Sequence, residues 1–113
     1  RKKLTKKVPS GDFIYEDDIA EGVLRMLTGD CNADPINFSN GSPTSIKKLI
    51  HVILDVCDYP ISPQYDPTKP SAVPYRVLDN TKFDTLFGKI EKTSLEEGIR
   101  KTVEWYTSNR SRE

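Results

Sequence analysis

The sequence predicts a mixed α/β domain of about four helices and three to four short strands. Three stretches carry apolar residues at helical spacing. Between them sit short β-type runs bounded by turn residues, and several helix starts carry capping residues. A length of 113 residues fits one small domain with a core of its own.

The elements follow in order. Asp12-Phe13-Ile14-Tyr15 reads as a short strand, and Glu16-Asp17-Asp18 supplies the carboxylates that suit a helix N-terminus. Ile19, Ala20, Val23, Leu24 and Leu27 then fall on one helical face, with Gly29 as the stop. Ile36-Asn37-Phe38 is a second strand candidate, closed by Asn40-Gly41. Ser42 to Ser45 open a helix whose apolar face is Ile46, Leu49, Ile50, Ile53, Leu54 and Cys57, ending before Pro60. Ile61 to Tyr65 and Arg76-Val77-Leu78 read as extended. Asn80 or Thr81 caps a short helix carrying Phe83, Leu86 and Phe87. Ser94 and Glu97 form a capping box for the last helix, with Leu95, Ile99, Val103 and Tyr106 on one face. Gly98 inside that helix costs about 1 kcal/mol against Ala, which packing must offset. Trp105 and Tyr106 read as core and edge packing. The strands are few and short, and such strands are marginal alone. Some of them are therefore expected to pair with a sheet supplied by other residues.

Composition excludes several classes. Formal net charge is zero, so no global field favours nucleic acid or a membrane. Five of the first seven residues are basic, and residues 1–11 are expected to be a flexible, solvated segment rather than a nucleic-acid arm. Residues 108–113 read as a polar tail, leaving 12–107 as the functional region. No apolar run nears the roughly 20 residues of a membrane span, and no signal peptide is evident. Cys31 and Cys57 fit neither a metal site nor a disulfide framework, and reduced thiols in the cytoplasm are the expectation.

The chemistry-bearing segment runs from Tyr65 to Asp79. Pro67, Pro70 and Pro74 stiffen it, and it delivers Lys69 and Arg76 together. Two cations on a stiff loop form a receptor for an anion such as phosphate; a merely solvated loop is the alternative reading. Tyr65 and Lys69 have Tyr-x-x-x-Lys spacing, which in a helix would let the lysine lower the tyrosine pKa. Pro67 between them excludes that helix, so the match carries no acid–base pair. His51, the lone histidine, falls on the polar side of its helix beside Lys47, Lys48 and Asp55. Glu16, Asp17 and Asp18 read as partners of the helix dipole rather than as metal ligands. The six glycines (11, 22, 29, 41, 88 and 98) form neither Gly-x-Gly-x-x-Gly nor a P-loop, so this chain has no dinucleotide cradle.

Four ordered segments resemble one family. Asp12 to Ala20 is similar to the Arg-Asp-Phe-Ile-Tyr-Val-Asp-Asp-Ile-Ala segment of extended short-chain dehydrogenases acting on nucleotide sugars, the NAD-dependent epimerase/dehydratases. Ile36 to Gly41, followed by Ser45-Ile46-Lys47, resembles that family's Asn-Ile-Gly-Ser-Gly strand, turn and helix. Asp66 to Asp79 resembles its Lys-Pro-Asp-Gly-x-Pro-Arg-Lys/Arg-x-Leu-Asp block, in the version typical of GDP-L-fucose synthases and close epimerase/reductases. Thr93 to Ile99 with Trp105-Tyr106 matches the closing helix. The resemblance implies the C-terminal, substrate-domain portion of such an enzyme, incomplete relative to a full Rossmann-type fold. The catalytic Ser, Tyr and Lys and the NAD or NADP site would then lie upstream, in a cofactor domain supplied in cis or in trans. It implies a nucleotide-diphosphate sugar as ligand, bound by Arg76 with Lys69 and Tyr75 on the same loop. Catalytic, cofactor-binding and metal-binding residues are expected to be absent from the chain, which alone would be inactive. The parent reaction would pass through a keto-sugar, with a UDP-sugar 4-epimerase or an inactive interaction module as alternatives. Gly11 stands where the family has a diphosphate-binding Arg, Ser71-Ala72 replaces Asp-Gly, and Tyr75 replaces the first Arg after Pro.

Overall fold

A computed structural model describes residues 9–29, 34–70 and 74–110. The basic residues 1–8, Cys31, the Ser71-Ala72 departure and residues 111–113 lie outside them. The class is the predicted one, mixed α/β with four helices: α1 (Glu16–Thr28), α2 (Ile46–Val56), α3 (Thr81–Phe87) and α4 (Leu95–Asn109).

Pairing among the strands is sparser than the β-type runs suggest. β1 (Ser10–Gly11) pairs antiparallel with β2 (Thr44–Ser45), Ser10 opposite Ser45 and Gly11 opposite Thr44. On its other side Ser10 makes a parallel bridge to Tyr75. The expected boundary at residue 11 therefore sits inside the fold, since Ser10 is the middle of this small layer. The segments 12–15, 36–38, 61–65 and 76–78 lie in no strand. Two of their backbone groups bond side chains instead: Phe13 O accepts from Asn40 Nδ2 and Leu78 N donates to Asp12 Oδ2.

Each helix end has a local cause. Ser45 Oγ accepts from Lys48 N at 3.0 Å and opens α2. The same helix closes in a Schellman motif: Asp58 N donates to Asp55 O, Tyr59 N donates to Leu54 O, and Asp58 takes φ 51°. Ser94 caps α4 by accepting from Glu97 N, but only half of the predicted box forms, because the Glu97 carboxylate pairs with Arg100. Asn80 holds the N-cap position of α3 without capping it. Its side chain is committed to Ser39, and Asp79 accepts from Thr81 N and Oγ1 instead.

Two glycines permit close approach. A Cβ on Gly22 of α1 would lie 2.4 Å from the Phe38 ring, and one on Gly98 of α4 would lie 3.3 Å from Tyr15 Cβ. Gly98 is thus the price of seating α4 against Tyr15. Phe38, Phe83 and Phe87 form an aromatic row, with centroids 4.4 and 5.2 Å apart along it. Phe83 is fully buried, with Val52 and Ile90 the other buried apolar residues among those described. Arg25 Nη1 donates to Phe87 O at 3.1 Å, tying α1 to the end of α3. α2 packs on α4.

Much apolar surface stays uncovered. Leu24 and Leu27 of α1 are 58% and 75% exposed, and Trp105 and Tyr106 of α4 are 66% and 59% exposed. The expectation that Trp105 and Tyr106 serve core and edge packing is corrected for the core: both are mostly exposed, and Trp105 borders a cleft between α2 and α4.

Candidate functional site

The site begins with backbone pairing. Ser10 N donates to Pro74 O at 3.0 Å and Arg76 N donates to Ser10 O at 3.1 Å, so Tyr75 and Arg76 are docked on the middle strand. A regular parallel ladder would continue with Leu78 N on the Asp12 carbonyl. Here Leu78 N donates to the Asp12 side chain, Oδ2, at 3.1 Å. That substitution ends the ladder after one bridge, which is why 76–78 is extended without being a strand.

Asp12 reaches further. Its Oδ2 also accepts from Ser39 Oγ at 2.7 Å and Gly41 N at 3.0 Å, and its Oδ1 accepts from Asn40 N at 2.8 Å. Behind it, Asn80 Oδ1 accepts from Ser39 N and Asn80 Nδ2 donates to Ser39 O at 2.7 Å, both residues being buried. One carboxylate and one carboxamide thus weld residue 12, the 39–41 turn and the 76–80 segment.

The 65–79 segment, a hook that carries Arg76, is bracketed by two Asp-x-Thr turns. Asp66 accepts from Thr68 N and Oγ1, and Asp79 does the same with Thr81. Both carboxyls are held below their ordinary range, first by the threonine hydroxyl and then by the amide. The turn at Asp66, with Lys69 N bonded to Asp66 O, replaces the helix that a Tyr65–Lys69 pair would need.

Arg76 is exposed, and its guanidinium pairs with no carboxylate among the described residues. Lys69 is exposed on the neighbouring turn, with no described contact to Arg76, and Tyr75 is 49% exposed. Arg76 and Tyr75 are chain neighbours on the docked segment. None of the three lines either described cleft. One cleft, about 590 Å³ and mainly apolar, lies between α2, α4 and residues 13–16. Tyr15 lines it with a raised hydroxyl pKa, from partial burial and then from the neighbouring Asp17, Glu16, Asp18 and Glu97. The other cleft, about 470 Å³, is polar and includes Asn40, Asp84, Lys89 and Lys92.

His51 is exposed, as its helix phase predicts. Asp18 accepts from Thr93 N at 2.7 Å and Thr93 Oγ1 at 2.9 Å, joining α1 to the start of α4. Among the described residues no three His, Cys, Asp or Glu side chains gather around a common point that would suit a metal. No helix there is long and apolar enough to cross a membrane. The roles of Asp12, Ser39 and Asn80 had no sequence signal, because their partners lie 27 to 66 residues away.

No protein-family model matches the chain. Among curated proteins it is 30% identical to the GDP-L-fucose synthase of Sinorhizobium fredii, over 89% of this chain and 32% of that protein. Among solved structures it resembles the UDP-glucose 4-epimerase of Thermotoga maritima with UDP-glucose, at TM-score 0.80 and 27% identity, covering 96% of this chain and 35% of that one. The chain belongs to the NAD-dependent epimerase/dehydratase family. This epimerase/dehydratase chain spans about a third of the length of the relatives it matches. A further relative by structure, the Bordetella bronchiseptica enzyme WbmF, was solved in complex with NADH; TM-score is 0.75 and identity 25%, over 97% of this chain and 33% of that one. Aromatic rings lie close against three of this chain's glycines. Gly22 and Gly98 are filled by Phe38 and Tyr15, and Gly29 by Phe87.

Proposed function

We propose that this chain is the substrate-binding portion of a nucleotide-sugar epimerase or reductase, and that it grips the ligand's diphosphate through Arg76. The observation that carries the reading is the state of Arg76: exposed, without a carboxylate partner, on a segment pinned at Ser10 and Asp12. A guanidinium makes paired N–H···O bonds to two phosphate oxygens, and the backbone that carries this one is already fixed before binding. Tyr75 precedes it on the same pinned segment and is a second contact offered by that segment, and Lys69 adds an exposed charge from the Asp66 turn. Redox and proton-transfer groups belong to a cofactor-binding portion, in cis or in trans. The uncovered apolar residues of α1 and α4, Leu24, Leu27 and Trp105 among them, support a second body of that kind.

Titration with GDP and UDP, and with their sugar conjugates, tests the reading by amide and guanidinium NMR shifts. Shifts centred on residues 75–78 are expected, and their absence at millimolar ligand overturns it. Arg76→Ala is expected to weaken diphosphate binding about tenfold, the scale of one charge-assisted contact in an exposed site. Lys69→Ala is expected to weaken it only about twofold, as for an exposed, flexible charge. The base is chosen by comparing the two nucleotides, since relatives include both GDP-L-fucose synthase and UDP-glucose 4-epimerase.

A further inference from the structure

We infer that Asp12 is a positioning residue, whose carboxylate sets the direction in which Arg76 is presented. The inference rests on the diphosphate reading above and names what that reading leaves open, the origin of the aim.

Arg76 carries no described side-chain bond of its own, so its direction comes from the backbone. Two amides on the same edge of that backbone are held, Arg76 N by Ser10 O and Leu78 N by Asp12 Oδ2. Fixing the amides of residues 76 and 78 on an extended segment fixes the alternation of faces. Val77 turns inward and is half-buried, while Arg76 and Leu78 turn out. Ser10 alone leaves the segment free to swing about one bridge; the carboxylate supplies the second anchor. Oδ2 holds Leu78 together with Ser39 Oγ and Gly41 N, and Oδ1 holds Asn40 N. The hook is thereby referenced to the 39–41 turn, which Asn80 locks in turn through Ser39. A neutral carboxamide cannot replace this group, since it offers one acceptor oxygen and places an N–H₂ against an N–H.

The test combines binding with a positional readout. In Asp12→Asn, the Leu78 amide and Arg76 Nε resonances are expected to move while those of α2 and α4 stay. GDP affinity is expected to fall about tenfold. Added to Arg76→Ala, the same change is expected to cost no further affinity, because Asp12 acts through Arg76. Unmoved Leu78 and Arg76 resonances overturn the inference, as does a tenfold loss that persists without Arg76. Should Asp12→Asn unfold, an amide-to-ester replacement at Leu78 removes only the donated N–H, and the same criteria apply. If Arg76→Ala alone binds GDP as well as the parent, the diphosphate reading fails; the positioning inference is then decided by the Leu78 and Arg76 resonances alone.

Discussion

Gly11 lies one residue from the bridge that docks Tyr75, at the position where the family resemblance calls for an arginine. A Cβ there would meet only the Phe13 ring edge, at 3.1 Å, and a ring edge yields by a few tenths of an ångström. Gly11→Arg is therefore expected to fold and, on the diphosphate reading, to tighten GDP binding by about 1.5–3 kcal/mol, the worth of a hydrogen bond to a charged group. Calorimetric titration checks this, and unchanged affinity in a folded variant removes position 11 as a diphosphate contact. Asp58 is the residue scale's stability case. It sits at φ 51°, in the left-handed region, to complete the Schellman turn of α2. Asp58→Gly relieves the Cβ clash and is expected to stabilise the chain by about 0.5–1 kcal/mol in urea unfolding. Sequence reading placed the end of α2 near Pro60 through proline's effect on its neighbour. The left-handed residue itself was not visible, because aspartate is common in many other turn positions.

At the scale of elements, helix starts and phases were legible. Ser45 and Ser94 cap where their spacing to the apolar run says they should. The reciprocal half of the α4 box was not, because Arg100 competes for the Glu97 carboxylate and wins it. That pairing holds Glu97 below its ordinary pKa, first by the Arg100 hydrogen bond. The folded value lies below the unfolded one, so the contribution is present above the unfolded pKa, near 4.5. It is lost as pH falls through the folded value. Glu97→Gln is expected to flatten the acid side of the melting-temperature profile below about pH 4.5, leaving neutral behaviour nearly unchanged because the pair is exposed. Close approach between elements has its own test. Gly22→Ala drives a methyl into the Phe38 ring and is expected to destabilise by about 1–2 kcal/mol despite alanine's better helix propensity. Thermal or urea melts measure it directly.

For the whole molecule the controlling quantity is a small core under a large uncovered apolar surface. Phe83 is the only side chain among the described residues recorded as fully buried, wedged between Phe38 and Phe87. Phe83→Ala is expected to cost about 3–5 kcal/mol, comparable with all the stability a domain this small has, and so to abolish cooperative melting. The opposite holds for α1's outer face. Replacing Leu24 and Leu27 with lysine is expected to lower hydrophobic-dye binding with little effect on the melting temperature. A large loss of stability there would show that the face is core rather than contact surface.

By itself the sequence determined the α/β class, the four helices, the serine caps of α2 and α4 and the kinship of its ordered segments. Those properties depend on neighbours a few residues apart, where hydrogen-bond spacing and apolar periodicity are written directly into the chain. Only the tertiary structure decided that Asp12 would stand in for a ladder carbonyl, that Asn80 would leave its helix to hold Ser39, and that Arg76 would face outward. Each of those depends on groups 27 or more residues apart competing for the same donors, and which partner wins is settled only when the chain is packed.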